Sequence, residues 1–437
     1  MAPSELNLLF ADTVKICQEL IQIPSVNYGE GKGDEIAVSE YVANFLRAQG
    51  LEPEIIKTGE SRANVVAKIS GKNPTLPGLV LHGHIDVVPA NAADWSVDPF
   101  GGEIKDGAIW GRGAVDMKNV DAMILAIVAA WRRENYQPER NILLVFFGDE
   151  EAGSEYGSRW LVKNRPELFD GYTEAVSEVG GFSITLTNGK RLYLIEGAQK
   201  GINWFSLTAS GTAGHGSFVN KDNAVTKLSA VVEKIGKYSW PQIETKTGAK
   251  FWPKIAELTG EKYNAKDVTP LLKYLGGAAR MLGATIQNSA NPTQLNAGYK
   301  ANVIPQTATA VIDGRFLPGH EDELINTIKN LIGEEIAIEI LVRDKALEVD
   351  FEGPLVEAMI AAIQKYDKDA VVVPYLMSGG TDNKALADLG IKGFGFTPLQ
   401  LPAELDFFAL FHGVDERVPI SALEFGVQVM KTFLENI

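Results

Sequence analysis

The chain has 437 residues, 45% of them hydrophobic and 22% charged, with a formal net charge of −15. That length and balance suit a soluble, globular chain of two or three domains, and the acidic excess opposes sequence-independent binding of nucleic-acid phosphates or anionic lipid. A single cysteine, Cys17, excludes an intrachain disulfide. Neither a basic start with a long apolar core nor an uninterrupted apolar run of ~18 residues is present, so a cytoplasmic protein with no membrane span is expected.

Apolar residues at helical spacing predict a helix over 6–22, stopped by Ile23-Pro24-Ser25, and a second over 34–49 that ends at Gly50. Strands are expected at 54–57, 64–69 and 78–85, a helix over 116–134, and a strand buried on both faces at 142–147. This alternation predicts an α/β domain with a largely parallel sheet, whose functional residues collect at the carboxyl ends of strands. From about Ala198 the texture changes. Strands near 203–209, 294–299, 307–316 and 337–342, with helices over 224–238 and 321–332, describe an inserted α+β module. The stretch 240–288 reads as an elaboration of that module, and its Trp252, Leu271, Leu272, Tyr274, Leu275 and Met281 suit a small satellite core or the lining of an acyl pocket. The α/β pattern returns after about Glu348, with helices over 354–366 and 421–435. The resulting domains are 1–197 with 349–437, and 198–348.

In the strand 78–85 and its continuation, His82, His84 and Asp86 alternate onto one face, so a carboxylate lies beside an imidazole whose second nitrogen it could hold. Asp116, Glu150, Glu151, Glu178 and His412 also fall where an expected strand or helix meets a turn. Imidazole and carboxylate donors without thiolates suit zinc or a similar divalent ion, and an odd carboxylate can bridge two ions. Taken singly, Asp116 could be a helix N-cap, Glu150 and Glu151 a solvated pair, and Glu178 and His412 ordinary loop residues.

The order of HGHIDVVP, WSVDPF, GRGAVDMK, FFGDEEAGS, SEVGG, GHGS, ANVIP, DGRFLPG, SGGTDN and FHGVDE resembles the zinc-dependent family of aminoacylases, glutamate carboxypeptidases and succinyl-diaminopimelate desuccinylases. The likeness runs from about residue 10 to the C-terminus; it departs at Glu178, where Val179 intervenes before the glycine. The resemblance implies two divalent ions, zinc above all, with cobalt or manganese as substitutes. His84 and Glu178 would hold one, Glu151 and His412 the other, and Asp116 would bridge them, followed by a cis Asp116–Met117 peptide. Asp86 would orient His84, and Glu150 would be the general base acting on water. His215 would reach across a homodimer to the partner's oxyanion, with the inserted module as lid and dimerisation domain. Arg315 would take the substrate's terminal carboxylate, Asn302 would assist the oxyanion or that carboxylate, and the turn Gly379-Gly380-Thr381 would offer it backbone N–H groups. The expected activity is hydrolysis of an amide bond next to a free carboxylate, in an N-acyl amino acid or at the C-terminal residue of a short peptide. A dipeptidase with the same dinuclear site is one alternative, and a non-catalytic binding protein on the same fold is another. His82 and His320 are expected to be structural.

Overall fold

A computed structural model describes residues 3–437. In chain order, the principal elements of the first part are helices α1 (Pro3–Ile21), α2 (Ile36–Ala48) and α3 (Lys118–Glu134) and strands β1 (Glu54–Lys57), β2 (Ala63–Ile69), β3 (Gly78–His84), β4 (Ile142–Phe147), β5 (Tyr172–Ser177) and β6 (Arg191–Gln199). The middle part holds β7 (Gly201–Ser210), α4 (Ala224–Gly236), α5 (Lys246–Thr259), α6 (Ala279–Gly283), β8 (Ser289–Ala297), β9 (Thr307–Phe316), α7 (Glu321–Ile332) and β10 (Ile336–Asp344). The chain closes with α8 (Pro354–Tyr366), β11 (Val371–Met377), β12 (Lys392–Gly395) and α9 (Ile420–Leu434).

The large sheet runs β1-β2-β4-β3-β5-β12-β6, with β11 paired parallel to β6. Its centre, β4-β3-β5-β12, is parallel, while β1 and β2 add antiparallel edges. Every residue of β3 and β4 is buried, as required of strands covered on both faces. Helix α3 is buried from Lys118 to Trp131, packs against α1 and α9, and stops at Asn135 with φ 51°. The buried Lys118 amine is satisfied by the carbonyls of Leu20 and Ile23, both at 2.9 Å, which ties α3 to the end of α1. Strand β5, β6, β11 and β12 escaped the sequence reading. β11 carries Pro374, which argues against a central strand; β11 pairs with β6 alone, so the proline stands on an edge strand.

The inserted sheet is antiparallel in the order β8-β9-β7-β10. Period-two burial puts Phe205, Leu207, Ala209, Ala308, Ala310 and Ile312 on one face, where α4 and α7 cover them in a separate core. The excursion 240–288 is a correction to the sequence reading. Trp252, Leu271 and Leu275 join the core of the large domain, α5 lies against β11, and only the flanking strands belong to the inserted sheet. Apolar residues at helical spacing reveal that a helix has a buried side but not which domain buries it. Lys200 sits where β6 passes into β7, and its amine donates to the Ala284 and Gln287 carbonyls at 2.9 and 2.7 Å, fixing the end of the excursion to the domain border. No helix among the described residues is long and apolar enough to cross a membrane.

Candidate metal centre

Strands β3, β4 and β5 are parallel neighbours, so their carboxyl ends deliver His84, the Asp149-Glu150-Glu151 turn and Glu178 to one edge of the sheet. Asp116 comes from the loop before α3. It is not the N-cap that a lone aspartate there allows, because the helix begins at Lys118 and Met117 takes the capping position; the Asp116–Met117 peptide is cis. Three residues at this edge have left-handed backbone without being glycine: Asp149 (φ 63°), Val179 (φ 54°) and His412 (φ 57°). Such backbone is costly outside glycine and persists where surrounding contacts impose it. For Val179 one such contact is the Tyr375 hydroxyl, which donates to its carbonyl at 2.5 Å.

The donor atoms form two groups, each within 4.8 Å: His84, Asp116 and Glu178, and Asp116, Glu151 and His412. The Asp116 Oδ1 lies 2.9 Å from His84 Nε2 and its Oδ2 3.2 Å from His412 Nε2. Glu178 Oε2 is 3.6 Å from His84 Nε2, and Glu151 Oε2 is 3.0 Å from His412 Nε2. Val179 therefore does not displace Glu178 from the cluster. Burial by itself would lower the His84 imidazole, yet Glu178, Asp116 and Asp86 hold it well above its usual range. Burial pushes Glu178 up to about 7, and hydrogen bonds to Asp116 and Glu151 take His412 to about 10. The Glu151 Oε1 is buried without a hydrogen-bond partner. Nitrogen and oxygen donors at this density, sharing one carboxylate and leaving a buried oxygen unsatisfied, fit a pair of divalent cations.

Asp86 touches both His84 and the turn that follows β4. The His84 Nδ1 is 3.0 Å from the Asp86 carbonyl and 3.6 Å from its carboxylate. That carboxylate accepts the backbone amides of Glu150 and Glu151, both at 3.1 Å, and the Asn27 side chain at 2.8 Å. It thus fixes the turn carrying Glu150 as well as the histidine. Glu150 Oε2 is 3.9 Å from His84 Nε2, and its carboxyl is raised well above the ordinary range, chiefly by burial and then by Glu178, Asp382 and Glu151 against the opposing effect of His84. Behind the turn, Asn27 Oδ1 accepts from buried Arg62 at 2.8 Å, and Arg62 also pairs with Glu35.

The cluster opens into a cavity of about 520 Å³, of a size suited to a small ligand. Asp116, Glu150, Glu151, Glu178 and His412 share its wall with Ser378, Gly379 and Gly380, and the excursion adds Gly277, Arg280, Met281 and Ala284. Thr381 does not reach the cavity wall; its hydroxyl accepts from Gln199 at 2.7 Å. Arg315 forms a two-point pair with Asp313, at 2.6 and 2.9 Å, and is likewise absent from the wall. His215 lies on a separate two-strand ladder of the inserted domain, paired in register with Val303, and Asn302 just precedes that strand, its carbonyl accepting from Gly216 N at 2.9 Å. His82, buried, is bonded through Nε2 to Asn383 at 2.9 Å, and His320 is engaged with Glu323.

Sequence reading missed Glu416 and Asp382. Glu416 is fully buried and accepts from Arg112 at 2.7 Å and from the amides of Gly113, Val115 and Asp116 at 3.2, 2.6 and 3.1 Å. Asp382 accepts from Ser154 and Ser158 at 2.8 and 2.5 Å, fastening the turn after Glu151 to the Ser378–Thr381 loop. Their signal lay inside motifs already noticed, as the last residue of FHGVDE and the aspartate of SGGTDN.

The chain resembles known proteins along most of its length. The chain is 27% identical over 440 residues to the N-fatty-acyl-amino acid synthase/hydrolase PM20D1 of Mus musculus, covering 95% of this chain and 86% of that one. It is 26% identical over 435 residues to aminoacylase-1 of Homo sapiens, covering 97% and 94%. A similar solved structure, the M20 family metallo-carboxypeptidase Sso-CP2 from Sulfolobus solfataricus, aligns with a TM-score of 0.72 at 18% identity over 97% of this chain and 99% of that chain. The model of Peptidase family M20/M25/M40 matches residues 80–436, and the chain belongs to that family.

Proposed function

We propose that this hydrolase cleaves the amide bond of an N-acyl amino acid, with two divalent cations, zinc first among candidates, held by His84 and Glu178, by Glu151 and His412, and jointly by Asp116. The observation that carries the reading is the pair of donor groups sharing Asp116, with Glu150 on the wall of the same cavity. Such ions, when bound, supply a lowered pKa to water and polarisation to the scissile carbonyl. Glu150 takes the proton of the attacking water and returns it to the departing nitrogen. Met281, Met377, Phe408 and Phe411 give the cavity an apolar side that suits a hydrocarbon acyl group, in keeping with the named substrates of the PM20D1 and aminoacylase relatives. No serine or cysteine lies in a nucleophile motif, so attack by water is direct.

His215, Asn302 and Arg315 are proposed to complete a partner's site in a homodimer formed through the inserted domain, residues 198–348, with His215 at the oxyanion. The domain of 1–197 and 349–437 would then carry the metals, Gly379 and Gly380 would offer backbone amides to substrate, and Thr381 would hold their loop. A dipeptidase is favoured by one feature, the Asp406 carboxylate on the cavity wall, which could receive a free amine. Product analysis on N-octanoyl, N-acetyl and free dipeptide forms of one amino acid separates the readings. Release of the amino acid from the acylated forms is expected; turnover of dipeptides alone would replace this reading with the second.

A further inference from the structure

Arg280 stands apart from the other polar groups of the cavity. Among the described residues it is the only lysine or arginine on a wall that carries Asp116, Glu150, Glu151, Glu178 and Asp406. Among the described residues no hydrogen bond or ion pair engages its guanidinium. An arginine that shares a wall with so many carboxylates and pairs with none is available to an anion that enters the cavity. Arg315, in contrast, already donates from Nε and one Nη, along one edge of its guanidinium, to Asp313.

The backbone that carries Arg280 is held on three sides. Ala278 and Leu282 are buried in the large core, and Gly277 packs so closely on Asp406 that an added Cβ would lie 3.0 Å from its Oδ1. The carbonyl of Ala284 accepts from Lys200 at 2.9 Å. The exposed side chain therefore starts from a fixed support on the wall that also carries the metal-binding groups.

We propose that Arg280 is a specificity-determining residue that binds a carboxylate of the substrate within the chain's own cavity. The inference rests on the N-acyl amino acid reading. The carboxylate has two chemical sources, the α-carboxylate of the amino acid or a second carboxylate at the far end of the acyl group. In either case a guanidinium presents two parallel donors that a lysine cannot match.

The test compares the zinc-loaded wild-type protein with Arg280→Ala and Arg280→Lys on N-octanoyl-methionine, its carboxamide, and N-glutaryl-methionine. Arg280→Ala is expected to raise KM for a carboxylate substrate about tenfold, with kcat little changed and Arg280→Lys intermediate. An effect on N-octanoyl-methionine that vanishes with its carboxamide assigns the α-carboxylate. An effect confined to N-glutaryl-methionine assigns the acyl carboxylate. Equal KM values for wild type and Arg280→Ala on both acids, or equal losses on the acids and the carboxamide, would overturn the proposal while leaving the hydrolase reading intact. Calorimetric titration of N-octanoyl-methionine and N-glutaryl-methionine into Glu150→Gln, with and without Arg280→Ala, gives an independent readout; unchanged affinity for both would also overturn it. A wild-type protein that neither binds nor cleaves any acyl amino acid would remove the hydrolase reading and this inference with it.

Discussion

Asp116 is held from both sides before any ion is considered. Its carboxylate oxygens face His84 and His412, and its amide donates to Glu416. Glu416 also anchors Arg112, whose other nitrogen donates to the His412 carbonyl at 3.3 Å, so one buried carboxylate positions two proposed ligands. Replacing it by glutamine would turn an NH₂ group toward backbone donors. For Glu416→Gln we expect metal affinity to fall about 10–100-fold, measured by competition with a chromophoric chelator. Unchanged affinity would deny Glu416 this role. Glu196 gives a test based on pH. Burial raises its carboxyl to about 8, and its Oε2 has no partner. A raised carboxyl favours the protonated folded state. Its contribution is therefore complete below the unfolded value near 4.5 and is lost as pH rises through about 8. Glu196→Gln should flatten the fall in stability across that window in urea melts at successive pH values, and a parallel curve would contradict the assignment.

At the scale of elements, the sequence was most legible where one period ran without interruption. Fully buried β4 and the amphipathic α1, α2 and α7 follow directly from their apolar spacing. The metal-ligand candidates were legible because strand ends are where such residues collect, but their ranking needed the motif series: neither His84 over His82 nor Asp116 over an N-cap follows from local spacing. The cradle of Glu416, the support from Asp382 and the destination of the 240–288 excursion were hidden, since each is a contact between residues far apart in the chain. That excursion has its own consequence. Trp252 is 6% exposed and packs in the large core, with its ring edge on Phe251 at a centroid distance of 4.7 Å. Trp252→Ala should cost about 3–5 kcal/mol in chemical denaturation and disturb the wall at Arg280 and Met281. A cost below ~1 kcal/mol would place the tryptophan outside a packed core.

For the whole molecule, the two donor groups bring together Asp116, Glu151 and Glu178 with two histidines, and Glu150 lines the same cavity. Cations that bind the folded chain add stability by mass action and relieve repulsion among these groups. Chelation should lower the melting temperature by several degrees and zinc should restore it; an unchanged Tm would count against a pair of resident ions. In the proposed mechanism the adjacent glutamates divide the labour, with Glu151, which lies 3.0 Å from His412, as a ligand and Glu150 as the base. The most direct measurement is paired metal content and turnover of Glu150→Gln on an N-acyl amino acid. The account predicts two ions per chain, as in the wild type, with kcat lowered about 10²–10⁴-fold. Near-normal turnover, or loss of the ions together with activity, would contradict it.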